Sequence, residues 1–455
     1  MSLFTYNNVL SAIILFLTAY VSHYYYKYFT RESPLPGPFP LPIIGNTLIF
    51  FRDISIWPSE LQSKYGDIFE VYIGSTRKVW LCSEELALKI FSPAIHSNFH
   101  NHAGKDSGLG EVGLINTGLL FNLDYENWAF IRRVYSKAIF SSAFMKQALA
   151  STQIAFQKME NYWMKLGENT ALDFSCWARN YFSDTTELLT TSKSLDTLTS
   201  YYNKISPNKE IEISDKMKEK EYASKCASEF VDVIIWFHNI PRFIRNFPGI
   251  NSYTKKLKHQ HNWLRKRLLN DVKSRREEIE RTPEDEPLTR DLLTMFLTVN
   301  TPRDITKGIA DGANNRPMSD EEIASIFMEI SAAGLRNEKP DQIGGYTFTE
   351  STDFFIYVHA VNKHKSKWTN PELFDPDRFM DELHPDYKKE VYTFGSGMRM
   401  CPGRNLARLL LKATLAMFYR KYDIELVDKE APLKFSKSLF RQCVGFEVRV
   451  KKLGN

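Results

Sequence analysis

The segment Phe394-Gly-Ser-Gly397-Met-Arg399-Met-Cys401-Pro-Gly403 constrains this chain more than any other. Gly395, Gly397 and Gly403 let the backbone turn tightly and come close to a flat group. Pro402 fixes the turn just past the sulfur. Residues 404–419 read as a long apolar helix starting directly after it, and a helix N-terminus favours a negative sulfur. A thiolate is a soft, electron-rich ligand for iron. Arg399 stands two residues before it and can pair with a carboxylate of whatever group the iron belongs to. The competing reading is a cysteine buried only for packing.

Composition leaves the chemistry to that segment. Lys and Arg number 59 against 54 Asp and Glu, a net charge of +5 in 455 residues, so the charge does not argue for a nucleic-acid partner. Apolar residues make up 43%, enough for a chain of this length to bury a core without staples. Cys82, Cys176, Cys226, Cys401 and Cys443 are odd in number and form no CxxC, which fits a reducing compartment without structural disulfides or a zinc cluster.

The N-terminus differs from the rest. Residues 9–26 carry no Lys, Arg, Asp or Glu. As a helix they span about 27 Å, close to the hydrocarbon thickness of about 30 Å. Tyr20, Tyr24, Tyr25 and Tyr26 suit the interfacial belt. No basic n-region precedes the segment, while Lys27 and Arg31 follow it, so the expectation is a single-pass anchor over residues 1–26 with the bulk facing the cytosol. A buried N-terminal helix is the alternative. Pro34, Pro36, Pro38, Pro40 and Pro42 then alternate, which excludes helix and central strand and predicts a stiff hinge over 27–47.

No second linker and no repeat breaks residues 48–455, so one domain is expected there. Strands are expected at 68–73, 78–82 and 391–394. Helices are expected at 127–140, 151–163, 257–269, 321–330 and 404–419, the fourth opening behind Ser319 and Asp320. Polar loops are expected at 204–221 and 281–287. Residues 255–281 hold ten Lys/Arg against four Asp/Glu. Leu257, Leu264 and Leu268 make them the solvated face of a helix over an apolar stripe, not a nucleic-acid surface. The fold class expected is mainly α with small β-sheets, behind an N-terminal transmembrane helix.

The cysteine loop resembles, in full, the haem-binding signature F-x-x-G-x-R-x-C-x-G of the cytochrome P-450 family, the haem-thiolate monooxygenases. Trp128-Ala-Phe-Ile-Arg132 resembles the family's W-x-x-x-R helix, with Leu119-Leu-Phe-Asn122 ahead of it. Trp368 to Phe379 resembles the meander before the haem loop, and Ile343-Gly-Gly-Tyr346 with residues 352–361 resembles the family's strands there. The resemblance implies Cys401 as axial ligand of the iron of haem b, an iron protoporphyrin. It implies Trp128, Arg132, Phe394, Gly397, Arg399 and Gly403 as the other haem-binding positions. It implies a microsomal monooxygenase in the endoplasmic reticulum membrane that takes electrons from NADPH-cytochrome reductase and inserts one atom of O₂ into a small apolar substrate. A thiolate ligand favours O–O cleavage. Arg399, Arg404 and Lys412 are the candidates for reductase docking. Residues 99–122 and 230–240 are the candidates for the substrate pocket.

Two departures stand out. The family's distal helix reads A/G-G-x-D/E-T, whose acid and hydroxyl deliver protons. Here Ala332-Ala333-Gly334 is followed by Leu335-Arg336-Asn337, so no catalytic distal acid or threonine is identified. The family's later E-x-x-R helix is missing too. Glu278 and Arg281 alone have that spacing, in the charged stretch upstream. The resemblance implies an internal deletion of several dozen residues between Gly334 and Lys339. It also implies that Arg378 of the meander loses its ion-pair partners. Removing one partner of a buried charge pair costs about 3–5 kcal/mol, against a total stability of about 5–15 kcal/mol. Arg336 stands at the junction, where a third propionate arginine of the family would fall. An alternative function follows: a catalytically inactive haem-binding remnant or truncated product of the same family.

Overall fold

Alternating capping signals and apolar stripes divide the chain into helices and a few short strands. The computed structural model describes residues 2–53, 56–91, 99, 104, 107–209, 211–306, 316–329, 335–336, 341–350, 352–380, 391–435 and 443–453, with backbone only at 2–7 and 335–336. In chain order, α1 (Ser2–Phe29) leads to α2 (Trp57–Tyr65), β1 (Ile68–Ile73), β2 (Thr76–Leu81) and α3 (Glu84–Ile90). Then come α4 (Tyr125–Phe140), α5 (Ser142–Leu166), β3 (Leu172–Asp173), α6 (Phe174–Thr191), α7 (Thr197–Ile205), α8 (Asp215–Ser228), α9 (Phe230–Asn239), α10 (Arg242–Arg245), α11 (Asn251–Arg281), α12 (Leu292–Thr298) and α13 (Asp320–Met328). Strands follow: β4 (Leu335–Arg336), β5 (Asp341–Ile343), β6 (Tyr346–Phe348) and β7 (Asp353–Ile356), then α14 (Val358–Asn362). After α15 (Arg404–Lys421) come β8 (Tyr422–Leu426), β9 (Lys434–Phe435), β10 (Cys443–Val444) and β11 (Glu447–Lys452).

Most expected elements are present, and two differ. Residues 391–394 form a turn rather than a strand. The Tyr392 amide donates to Asn362 Oδ1 at 2.8 Å instead of to a ladder, and its ring stacks on Phe91 at 5.2 Å. Part of the polar stretch 204–221 is helical. Ser214 caps α8 by accepting from Met217 N, and Ala223 and Cys226 bury one face of that helix.

Two compact units emerge. The first comprises Met1–Gly104, Asn239–Arg242 and Ala333–Met400. Its sheet runs in the order β1-β2-β7-β4, antiparallel for β1/β2 and β7/β4 and parallel for β2/β7. Trp80 lies at its centre, stacked on Phe355 at 5.1 Å and edge-on to Trp57 at 4.8 Å. Each such buried aromatic contributes about 1.5–3 kcal/mol. Lys78 and Asp353 pair directly across the register and are both buried. The β5/β6 hairpin closes through Gly344 and Gly345, at φ 58° and 81°, the left-handed conformation that a two-residue hairpin turn requires. Ile43 adopts φ 71°, a strain of about 1–3 kcal/mol for a β-branched residue.

The second unit comprises Lys105–His238, Phe243–Ala332 and Cys401–Asn455. Phe130, Ile131, Val134, Phe144, Phe296 and Ile323 fill its main core, with Leu406 and Leu410 of α15 packed against it. A second core joins Trp163, Trp177 and Phe418 to the sheet β3-β11-β8. The basic helix α11 buries Leu257 and Leu264 of its expected stripe together with Val272, while Leu268 is half-buried.

Candidate functional site

Two helices of the second unit build the ground under Cys401. α4 starts at Asp124, whose carboxylate accepts from Glu126 N and Asn127 N at 3.0 and 3.1 Å. Trp128, Phe130, Ile131 and Val134 then bury one face of it. Arg132 and Tyr135 lie half-buried beside that face. α15 starts at Arg404 behind Gly403 and packs against α4.

Cys401 immediately precedes α15 and is exposed. Its carbonyl accepts from Arg404 N at 3.4 Å in a turn that leads into α15, whose first helical bond runs from Ala407 N to Gly403 O at 2.8 Å. Burial holds the Arg132 guanidinium below its usual range, and the negative Cys401 sulfur pulls it back up. Burial pushes the Tyr135 hydroxyl up to about 12, with the Cys401 charge adding to it and Arg132 opposing. Sulfur, guanidinium and phenol therefore share one electrostatic neighbourhood.

Phe394, Gly397 and Arg399 belong to the first unit, on the chain segment running into Cys401. Gly397 has φ 68°, conformational space that a side chain there would resist. A single 3₁₀ turn covers Gly397–Arg399, closed by Met400 N donating to Gly397 O at 3.2 Å.

Sequence reading missed two residues. Tyr135 follows Arg132 by three positions and so shares its helix face, a periodicity that could have revealed it. Glu329, directly after α13, carried no such signal. Its carboxylate accepts from Leu119 N and, at 2.8 Å, from Leu120 N.

Two expectations about the junction meet the structure differently. Arg378 is not left as an uncompensated charge. Its Nε donates to Asp375 O at 3.0 Å, and its Nη2 donates to Leu373 O at 2.8 Å and Asn370 O at 3.2 Å. The guanidinium also sits over the Trp368 ring at 5.2 Å. Backbone carbonyls of the meander thus take the place of distant ion-pair partners, because the turn Pro376–Phe379 folds them around the side chain. Glu278 and Arg281, by contrast, are the solvated residues expected, with side chains 54% and 79% exposed. Ala332, Ala333 and Gly334 lie outside the described residues. Leu335 and Arg336 form β4, paired antiparallel with β7 through Leu335↔Phe354 and Arg336↔Asp353.

Comparison with known proteins gives a consistent result. The family model described as Cytochrome P450 matches residues 35–337 and 336–449. Ferruginol synthase of Isodon rubescens is 23% identical over 493 aligned residues, covering 92% of this chain and 94% of that protein. Carnosic acid synthase of Rosmarinus officinalis is 24% identical over 502, with the same coverage. The crystal structure of the cytochrome P450DA heme domain superposes with a TM-score of 0.70 at 15% identity, covering 93% of this chain and 99% of that one.

Proposed function

Because this chain belongs to the cytochrome P450 family of haem-dependent monooxygenases, we propose that it binds haem through Cys401 and oxidises a small apolar substrate with one atom of O₂. The donor set fits that group. An exposed sulfur at a helix N-terminus suits the iron, and the half-buried Arg132 guanidinium suits a propionate. Haem, when bound, supplies the oxygen-activating and electron-accepting chemistry.

The residues of the chain do the rest. Cys401, in the turn that leads into α15, would hold the iron. Arg132 and Trp128, four positions apart on α4, would both reach a carboxylate of the group. Phe394, Gly397, Arg399 and Gly403 shape the loop that carries the sulfur. Arg399, Arg404 and Lys412 form the docking site for a reductase that draws electrons from NADPH. α1 anchors the chain in the endoplasmic reticulum membrane with the remainder in the cytosol. Its stretch Asn8–Phe29 is long and apolar enough to cross, and Lys27 sits in its last turn.

The observation carrying this reading is the family match over residues 35–337 and 336–449, together with the place of Cys401 just ahead of α15, which packs against the α4 that bears Arg132. The test is NADPH- and reductase-dependent oxidation of apolar compounds by the purified chain, with Cys401→Ala as the blank. Product above the blank supports it.

A second reading, a haem protein without turnover, is favoured by the junction. α13 ends at Met328, and β4 begins at Leu335. The family match falls into two segments that meet at 336–337, and the alignment with ferruginol synthase is longer than the 455-residue chain. Both support an internal deletion after Gly334 that removes the acid and threonine of the distal helix. Haem uptake with no product above the blank would select this second reading.

A further inference from the structure

The turn that follows α14 carries chemistry that the haem-side residues do not use. Residues 364–367 read His-Lys-Ser-Lys, and Lys367 N and Trp368 N both donate to His364 O, at 3.0 and 3.3 Å, so the turn closes on the histidine. Ser366 Oγ lies 2.6 Å from His364 Nδ1, and His364 Nε2 lies 3.0 Å from Asp67 Oδ2. Asp67 comes from the link between α2 and β1, 297 positions away in sequence. Its other carboxylate oxygen accepts from Gln62 Nε2 of α2 at 3.0 Å, and its backbone carbonyl accepts from Cys82 N at 2.8 Å. Side chain and backbone of Asp67 are therefore both held in place where the carboxylate meets the ring.

A backbone amide decides which ring nitrogen carries the proton. Ser366 N–H donates to His364 Nδ1 at 3.3 Å. An amide N–H can only donate, so Nδ1 is the acceptor and bears the lone pair. Nε2–H is then left to donate to the Asp67 carboxylate, which fixes that tautomer. With Nδ1 accepting, the 2.6 Å contact runs from the Ser366 hydroxyl to the ring. A hydroxyl whose proton points at a neutral, carboxylate-oriented imidazole is an activated nucleophile, recognised by these roles and not by fold or sequence order. Ser366 is exposed, and the His364 and Asp67 side chains are 21% and 38% exposed, so a substrate reaches the hydroxyl from solvent. Capping this turn needs only the amide on Nδ1. The oriented carboxylate behind the ring goes beyond a cap.

We propose that Asp67, His364 and Ser366 form a second active site in the first unit, which hydrolyses small carboxylic esters independently of haem. Ser366 Oγ attacks the ester carbonyl carbon while His364 Nδ1 takes the hydroxyl proton. The bond to the alkoxy oxygen breaks, and the alcohol leaves with that proton. Water then attacks the acyl-serine and gives a proton to Nδ1. The bond to Ser366 Oγ breaks, the carboxylic acid leaves, and the serine regains its proton. Nothing is oxidised or reduced. His364 and Ser366 are catalytic residues, and Asp67 is a positioning residue that acts through the ring. Because the hydroxyl lies at the surface, the substrate class is an ester with a good leaving alcohol, such as an aryl acetate.

The test treats the purified full chain with a fluorophosphonate, which bonds covalently to activated serines, and maps the label by mass spectrometry. Release of p-nitrophenol from p-nitrophenyl acetate reads turnover. The proposal expects label at Ser366, none there in the urea-unfolded chain, and labelling slowed about 100-fold or more in His364→Gln. Asp67→Asn should slow it by about tenfold or more, with kcat falling and KM unchanged, and Asp67→Glu should restore part of the rate. Ser366→Ala, at an exposed position, should fold normally and lose the turnover. No label at Ser366 in the native chain, or equal rates in the native chain and His364→Gln, would overturn the site. Equal rates in Asp67→Asn would overturn the three residues as a unit. Release of a single equivalent of p-nitrophenol, with the acetyl group left on Ser366, would overturn hydrolysis.

Discussion

Two regions of the second unit are built differently. Under Cys401, α4 and α15 are long, capped or turn-initiated helices on one continuous core, and Arg132 and Tyr135 reach the sulfur's field. The other region is the loop over residues 107–123 with the end of α13. There, polar contacts from far away in sequence hold the backbone. His261 Nε2 donates to Val112 O at 2.8 Å, and the Glu329 carboxylate accepts from Leu119 N and Leu120 N. The first region is fixed by packing on one core, to which α11 and α12 also contribute Val272, Leu292 and Phe296. The second hangs on a few polar contacts after a helix that stops at Met328, so it responds to pH and to single substitutions.

The largest expected effect breaks the well-built side. Asp291 is fully buried, caps α12 by accepting from Thr294 N at 2.8 Å, and pairs with Arg275 at 3.2 Å. Asp291→Ala takes from Arg275 its buried carboxylate and leaves only the half-exposed Glu278 at 3.3 Å, and the expected loss is about 3–5 kcal/mol. A urea unfolding midpoint checks it. A loss under about 1 kcal/mol would show that α12 is not braced by the pair.

A pH effect sharpens the polar side. Burial holds the His261 imidazole down to about 4, from 6.5, and Val112 O opposes. The unfolded chain therefore binds a proton that the folded one refuses between those values. Stability from neutral His261 is complete above pH 6.5 and is lost as pH falls toward 4, about 3 kcal/mol in all. Unfolding measured across that range should show the slope for the native chain and a flattened one for His261→Gln.

A smaller effect concerns the latch at Glu329. A Cβ on Gly118 would fall onto the Glu329 carboxylate. Glu329→Ala strands the two amides and Gly118→Ala displaces the carboxylate, so each should cost about 1–3 kcal/mol. Faster hydrogen exchange at Leu119 and Leu120 in both variants reads the same loss locally. Unchanged exchange would mean that packing, not Glu329, holds the loop.

Legibility followed sequence distance. The Cys401 loop and the Trp128–Arg132 helix could be read because their meaning lies in spacings of ten residues or fewer. The long apolar helix α1 could be read from its lack of charge, and α11 from its apolar stripe. Glu329 could not be read, because its partner Leu120 lies 209 positions away. Arg378 was read through a resemblance to ion pairs, whereas carbonyls within eight residues satisfy it. The turn at 391–394 was missed because an Asn362 side chain thirty positions away takes the strand's amide. Local pattern could show where chemistry is placed, while the polar contacts that position it needed the folded chain.

The central claim is the proposal that Cys401 holds the iron of a haem in this 455-residue chain. The reduced, carbon monoxide-difference spectrum of the purified full chain tests it most directly, beside Cys401→His. The account predicts a thiolate-type band for the native chain and its replacement by a nitrogen-ligand band in the variant. A native chain that takes up haem but shows the same nitrogen-type band as Cys401→His, or that takes up none, would contradict it.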